Sequence, residues 1–236
     1  MRRISSLFVV VAVVICVGGT VLAQEKAEES KKKQGRARSV KLFNGECLEG
    51  WECFSVKDDV KTEDIWSVKD GVLVCKGEPL GYLYTKKDYD NYKLIVTWRW
   101  TPGKEPGNSG ILLRIAGDAV SFLPKCAECQ LKSGSAGDVY GFYGCKLGGP
   151  EDRLKIIEHD VLGKIYAVSQ LKPVEKKPGK WNTAEITVDG DTISVVINGQ
   201  EANKVTGCDV KTGRIGLQSE GGEIHFRKVV LTPIKK

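Results

Sequence analysis

The sequence predicts an all-β fold, a sandwich of two antiparallel sheets. Three observations predict it: a succession of short segments rich in β-branched and aromatic residues, tight-turn dipeptides between them, and no long 3.6-residue hydrophobic pattern past the N-terminus. The elements run in order. Trp66-Ser67-Val68, the turn Asp70-Gly71 and the segment Val72 to Cys75 form a first hairpin, because Asp-Gly suits the left-handed backbone of a two-residue loop. Tyr82 to Thr85, Tyr92 to Trp100, Gly110 to Ile115 and Ala127 to Leu131 follow as strands. Trp181 to Val188, Thr192 to Ile197, Arg214 to Gln218 and Ile224 to Thr232 complete the set, with Asp189-Gly190 and Asn198-Gly199 as further turns. No internal repeat and no second domain are visible.

Alternation assigns faces. In Tyr92 to Trp100, Tyr92, Leu94, Val96, Trp98 and Trp100 fall on one side and are read as core, although an exposed Trp would suit the C–H face of a sugar. Arg99 falls on the opposite, polar side. Gly134 to Gly179 is the least regular stretch and reads as loops around a site or as an insert. Tyr140, Phe142 and Tyr143 stand among its glycines, where they either line a cleft or fill space beneath a loop. Glu158-His159-Asp160 looks catalytic at first sight, but neighbours in an extended chain diverge to opposite faces, so an exposed polar turn is expected.

Residues 1 to 23 read as a secretory signal peptide: Arg2 and Arg3, an apolar run from Leu7 to Val17, then Val21-Leu22-Ala23 before the cut. The apolar run is short for a permanent anchor, so no stable membrane insertion is expected after cleavage, and the protein is expected to be secreted or periplasmic. Residues 24 to 39 are rich in Glu, Lys, Ala and Arg and read as a flexible charged linker; residues 40 to 236 form the single β-sandwich domain. Most of the basic excess sits in that linker, six Lys and Arg against three Glu, so the domain is near neutral and nucleic acid is not an expected partner. Seven cysteines remain after removal of Cys16, an odd number that leaves at least one unpaired within the chain. Cys126-x-x-Cys129 has no second CxxC and only His159 and His225 as companions, so disulfide or buried thiol is preferred to zinc or redox chemistry.

The candidate site lies between Asn108 and Leu131. Gly110, Leu112 and Arg114 are expected on one face of their strand, and Cys126, Glu128 and Gln130 on one face of the next. A cation, a carboxylate and an amide on adjacent strands can grip a hydroxyl-rich ligand and would make a poor dry core. The alternative is a solvent-facing ion pair.

With these residues in view the chain resembles the 3-keto-disaccharide hydrolase family. The landmarks are Leu42-Phe43-Asn44-Gly45, Trp51, Trp66-x-Val-x-Asp-Gly-Val, Gly81-Tyr82-Leu83-Tyr84-Thr85, Asn108-Ser109-Gly110 leading to Arg114, and Glu128-x-Gln130. Trp181-Asn182, Asn198-Gly199, Gly216-Leu217-Gln218 and Phe226-Arg227 complete a series covering roughly residues 40 to 234. The resemblance implies a concanavalin A-like jelly roll and action on glycosides oxidised at C3. It implies Glu128 as general base and Arg114 as contact for an enolate or hydroxyl oxygen. Asn108, Gln130, Gln218, Tyr140, Glu220 and Arg99 are the expected sugar contacts, with Asp138 as a further carboxylate candidate.

Two departures stand out: Lys132 where many members carry Asp, and Ser219-Glu220 where members often have His. The sequence requires no cofactor and leaves dependence on a divalent metal open. The expected partner is carbohydrate; the oligomeric state is not encoded legibly. The expected function is a carbohydrate-active enzyme that breaks the glycosidic bond of 3-keto-glycosides, and the alternative is a noncatalytic, lectin-like carbohydrate-binding module. A structural or interaction domain is a third reading, since one fold hosts many functions. An ordinary glycosidase would need two carboxylates flanking the bond, and only Glu128 is convincingly placed.

Overall fold

A computed structural model describes residues 37–235. The expected signal peptide and most of the linker lie outside the described residues. Sixteen strands alternate with turns, and the one helix among the described residues, α1 (Thr62–Ile65), is a single turn.

The first sheet contains β14 (Gln200–Val205), β13 (Thr192–Ile197), β12 (Asn182–Asp189), β6 (Tyr92–Trp100), β16 (Ile224–Pro233), β4 (Val72–Cys75) and β3 (Trp66–Lys69), in that spatial order, with β1 (Val40–Lys41) pairing on β16. The second runs β10 (Leu154–His159), β11 (Gly163–Val168), β9 (Val139–Gly141), β8 (Pro124–Gln130), β7 (Gly110–Ala119), β15 (Arg214–Ser219), β5 (Gly81–Thr85) and β2 (Trp51–Ser55). All pairings are antiparallel. Two such sheets face to face make the expected jelly-roll sandwich.

The alternation read from the sequence explains the core. Tyr92, Leu94, Val96, Trp98 and Trp100 are all buried and pack with Ile111, Leu113, Ala127, Cys129, Ile215 and Leu217 of the facing sheet. Trp98 and Trp100 are therefore packing residues rather than sugar platforms. A second apolar cluster, Tyr82, Leu112, Ile115, Cys126, Phe142 and Ile165, covers the other face of the second sheet. Cys126 and Cys129 thus point into different clusters, which removes the zinc or dithiol reading of that motif. All seven cysteines among the described residues are free.

The Asp70-Gly71 turn has φ of 51° and 75°, the left-handed pair a tight hairpin loop requires. Six strands exceed the sequence expectation: β1, β2, β9, β10, β11 and β14. Gly134 to Gly179 is not a loop system or an insert, because β9, β10 and β11 extend the second sheet through it. β10 escaped notice because it is almost wholly exposed and has no alternation to read. The Glu158-His159-Asp160 group sits at its end, where Glu158 pairs with Lys164 at 3.0 Å and His159 Nδ1 accepts the Val161 and Leu162 N–H groups. It is the polar turn expected, not a catalytic cluster.

Candidate functional site

Glu128 is the centre of the site. Register sets it opposite Leu112 on β7 and opposite Tyr140 on β9, while Leu112 stands opposite Gly216 and Gly216 opposite Tyr84. A row of five side-chain positions thus crosses the second sheet on the face turned away from the core. The Glu128 side chain is 1% exposed, and its Oε1 finds no hydrogen-bond partner among the described residues. Burial, reinforced by the nearby Glu220 carboxylate, pushes its pKa up to about 8.

The Asn108-Ser109-Gly110 motif makes room for this carboxyl. A Cβ on Gly110 would overlap the Glu128 carboxyl group, so the strand passes beneath it only as glycine. Ser109 turns the other way: its hydroxyl donates to the Gln218 carbonyl at 2.8 Å and its carbonyl accepts from Leu131 N–H at 2.8 Å, which ties β7 to both neighbours. Asn108 forms a bridge with Glu220.

Around Glu128 stand groups that no core would tolerate unpaired. Asn108 Oδ1 and both side-chain polar atoms of Gln218 are buried without partners among the described residues. The Asn108 and Gln218 side chains approach Glu220, but Gln218 completes no well-formed hydrogen bond there. Burial raises the Glu220 pKa; those two amides and the Lys132 ammonium oppose the rise. Lys132 and Glu220, the two departures noted in the sequence, therefore act on each other. Tyr140 stacks on Phe142 with ring centres 5.8 Å apart and reaches Asp138 Oδ2 at 3.4 Å. Burial first, then the Asp138 and Glu128 carboxylates, push its phenol up to about 12, so it stays a proton-bearing donor at neutral pH.

The structure thus brings Glu128, Asn108, Gln218, Glu220 and Tyr140 together. Two expected partners, Arg114 and Arg99, are elsewhere, and a third, Gln130, stands opposite Gly110 with its amide oxygen engaged by backbone. Arg114 has φ of 54° within a β-bulge, where the β7–β8 register shifts between Leu113 and Ala116. The bulge breaks the alternation, and the guanidinium donates to the carbonyls of Val210 (2.8 Å), Gly190 (2.7 Å) and Asp90 (3.4 Å). Arg114 is a fully buried clip that ties these three backbone carbonyls together. Gln130 Oε1 is engaged locally by Leu131 and Lys132 N–H at 2.9 and 2.8 Å, which makes it a turn residue. Arg99 lies on the other sheet, against Trp181 and His225.

Sequence reading missed an aromatic strip beside the site: Phe54, Tyr82 and Tyr84, with ring centres 5.3 and 5.4 Å apart, and Arg214 over Tyr84 at 4.8 Å. The period-two pair in Gly81-Tyr82-Leu83-Tyr84 was the available signal, because it places both rings on one face. Among the described residues no three His, Cys, Asp or Glu side chains gather as metal ligands.

Residues 38–232 match the family described as the 3-keto-alpha-glucoside-1,2-lyase-like domain. No curated protein matches the chain. Among solved structures, a candidate glycosyl hydrolase from Parabacteroides distasonis ATCC 8503 is similar at 22% identity and a TM-score of 0.60, over 88% of this chain and 97% of that one. Carbohydrate-binding module CBM66 from Bacillus subtilis gives 11% identity and 0.54, over 76% and 93%. The β-glucanase of Bacillus licheniformis gives 12% and 0.52, over 85% and 99%. At these identities the likeness shows the sandwich fold, which is shared by glycosidases and binding modules.

Proposed function

Because the chain belongs to the 3-keto-alpha-glucoside-1,2-lyase-like family, a glycosyl hydrolase-like, carbohydrate-active group, we propose that it is an exported enzyme that breaks the glycosidic bond of 3-keto-glycosides by elimination, with Glu128 moving the proton. The observation that carries the reading is the buried Glu128 carboxyl with an unpaired oxygen, near the Glu220 carboxylate that the Asn108 and Gln218 amides approach.

The chemistry follows from the substrate. A ketone at C3 acidifies the proton on C2. Ionised Glu128 takes that proton, and the electron pair passes into an enolate whose oxygen needs a donor. Gln218 Nε2 is the donor in this reading, in place of Arg114. The enolate then re-forms the C3 ketone and expels the C1 oxygen, leaving a double bond between C1 and C2. Glu128, now protonated, returns the proton to the departing oxygen, and water added across the double bond completes a net hydrolysis. A carboxyl with pKa near 8 is a stronger base than an exposed one and still ionises in mildly alkaline solution. Tyr140 and Asn108 orient sugar hydroxyls. Glu220 keeps Glu128 basic and, with Lys132, takes the positions where family members often carry His and Asp.

Those two replacements favour a second reading, a noncatalytic carbohydrate-binding module. One experiment separates them: nitrophenol release from 3-keto-glucosides by purified protein, with divalent metal or chelator, against Glu128→Gln. Release that requires Glu128 supports the enzyme. A folded protein that releases nothing, yet binds the glycoside, supports the module.

A further inference from the structure

The outer face of the first sheet carries a second polar assembly, on the sheet opposite the one that bears Glu128. Register builds it. Ser67 on β3 stands opposite Val74 on β4, Val74 opposite His225 on β16, and His225 opposite Arg99 on β6. Trp181, one residue before β12, lies beside Arg99. These residues, with Lys69, Asp70, Val72 and Glu223, line or flank a depression of about 430 Å³.

Its polar groups are held in one arrangement. Arg99 Nε donates to His225 Nδ1 at 3.3 Å, so Nδ1 carries no proton and the ring proton sits on Nε2. His225 Nε2 then donates to Thr101 Oγ1 at 3.1 Å, and Thr101 donates to Glu223 Oε1 at 2.8 Å. Lys104 fixes the second Glu223 oxygen at 2.8 Å. The guanidinium carbon of Arg99 lies 4.5 Å from the centre of the Trp181 ring, and that of Arg227, the residue in the β16 bulge, lies 4.4 Å from it. Arg99 is therefore oriented by a histidine and an indole together. Among the described residues its Nη groups have no protein acceptor, which leaves a planar donor pair at the wall of the depression.

The lining chemistry selects the occupant. Among the residues that line the depression itself, Lys69 and Arg99 balance Asp70 and Glu223 with His225 neutral, while Lys104, paired with Glu223, and Arg227, over Trp181, are outside that lining. A phosphate or sulfate would meet two carboxylates, and an apolar ligand would bury charged groups unpaired. A sugar ring fits, because it needs donors and acceptors for its hydroxyls together with an apolar floor for its C–H face, and Val72 and Val74 provide that floor. We propose that this depression is a noncatalytic binding site for a neutral saccharide, which would tether the domain to a glycan while Glu128 works on the opposite sheet. The inference rests on the carbohydrate reading of the family but not on the reaction at Glu128.

The test is isothermal titration of the full protein with maltohexaose, cellohexaose and laminarihexaose. At least one is expected to bind, and binding is expected to survive Glu128→Gln. Arg99→Gln should weaken it tenfold or more. Ser67→Trp, a change at an exposed position outside the hydrogen-bonded chain, should block the depression with the fold intact. Failure of all three oligosaccharides to bind overturns the proposal, as does binding that both Arg99→Gln and Ser67→Trp leave unchanged. Failure of the elimination chemistry is read separately, as absence of nitrophenol release, and does not bear on this binding.

Discussion

Glu128 and Arg114 come from neighbouring strands of one sheet, both are charged residue types, and both are buried to 1% exposure or less. They differ in how their polar atoms are used. Three backbone carbonyls accept from the Arg114 guanidinium, leaving only Nε unpaired, whereas Glu128 Oε1 has no partner, and the Asn108 and Gln218 side chains that approach the nearby Glu220 keep unpaired atoms too. A buried ion that is hydrogen-bonded on several sides is holding the chain in place. A buried carboxyl with an idle oxygen is poised for something the chain does not itself supply. The contrast teaches that burial alone does not separate scaffold from site; the accounting of hydrogen bonds does.

The sharpest way to break this comparison is to neutralise each residue. Glu128→Gln is expected to lower turnover on 3-keto-glucosides by roughly 10²- to 10⁴-fold, the usual contribution of a proton-transfer group, with the melting temperature unchanged or raised. Arg114→Met should do the reverse. It strips the carbonyls of Val210, Gly190 and Asp90 of their donor and is expected to cost about 3 kcal/mol in chemical denaturation, while the folded fraction turns over normally. Loss of chemistry without loss of stability in Arg114→Met would reverse the two roles.

Acid–base behaviour gives the next largest effect. The Glu128 pKa rises from an ordinary 4.5 to about 8, so between those values the folded protein holds a proton that the unfolded chain has released. Stability is therefore expected to fall as pH rises from about 4.5 to about 8 and to level off above it, by on the order of 5 kcal/mol at most. Turnover that uses ionised Glu128 should rise over the upper part of the same window and reach a plateau above about pH 8. Paired melting and rate profiles check both, and Glu128→Gln should flatten this share of the melting profile.

Gly110→Ala probes how tightly the strand fits beneath the carboxyl. The new methyl group would overlap Glu128, so the side chain must leave its position, and turnover should drop at least tenfold while the sheet persists. Recovery of normal rates in this variant would show that the observed position of Glu128 is not the working one.

Much of this was legible in the sequence, and the failures have physical reasons. Alternation in Tyr92 to Trp100 and the Asp-Gly turn at Asp70 specify their elements because one face of each strand must be buried and the tight turn needs left-handed residues. Glu128 was legible because a carboxylate in an apolar strand is conspicuous. Arg114 was equally conspicuous and was misplaced, because parity fails at a bulge and nothing in Leu112-Leu113-Arg114-Ile115 announces one, since a non-glycine residue rarely takes positive φ. Trp181-Asn182 and Asn198-Gly199 are landmarks for a structural reason: Asn198 Nδ2 donates to Asn182 Oδ1 at 2.8 Å, while Asn198 Oδ1 accepts from Thr183 N–H at 3.1 Å. β14 was missed since Gln-Glu-Ala-Asn-Lys-Val has little strand character of its own; it forms as the return arm of the Asn198-Gly199 hairpin.

The smallest expected effect is also the most discriminating between the Glu128 surroundings and an ordinary buried acid. Burial is the larger cause of its raised pKa and the Glu220 carboxylate the smaller, so Glu220→Gln removes only the smaller. The rate profile should then shift toward lower pH by a fraction of a unit, with the plateau rate altered less than threefold. Lys132→Gln should raise the Glu220 pKa, since it withdraws the cation that favours the ionised form there. A shift in Glu220→Gln with none in a remote charge variant such as Glu201→Gln would mark the Glu128 and Glu220 carboxyls as one coupled pair. Profiles that superimpose would mean that Glu128 titrates alone, its basicity set by the sheet that buries it.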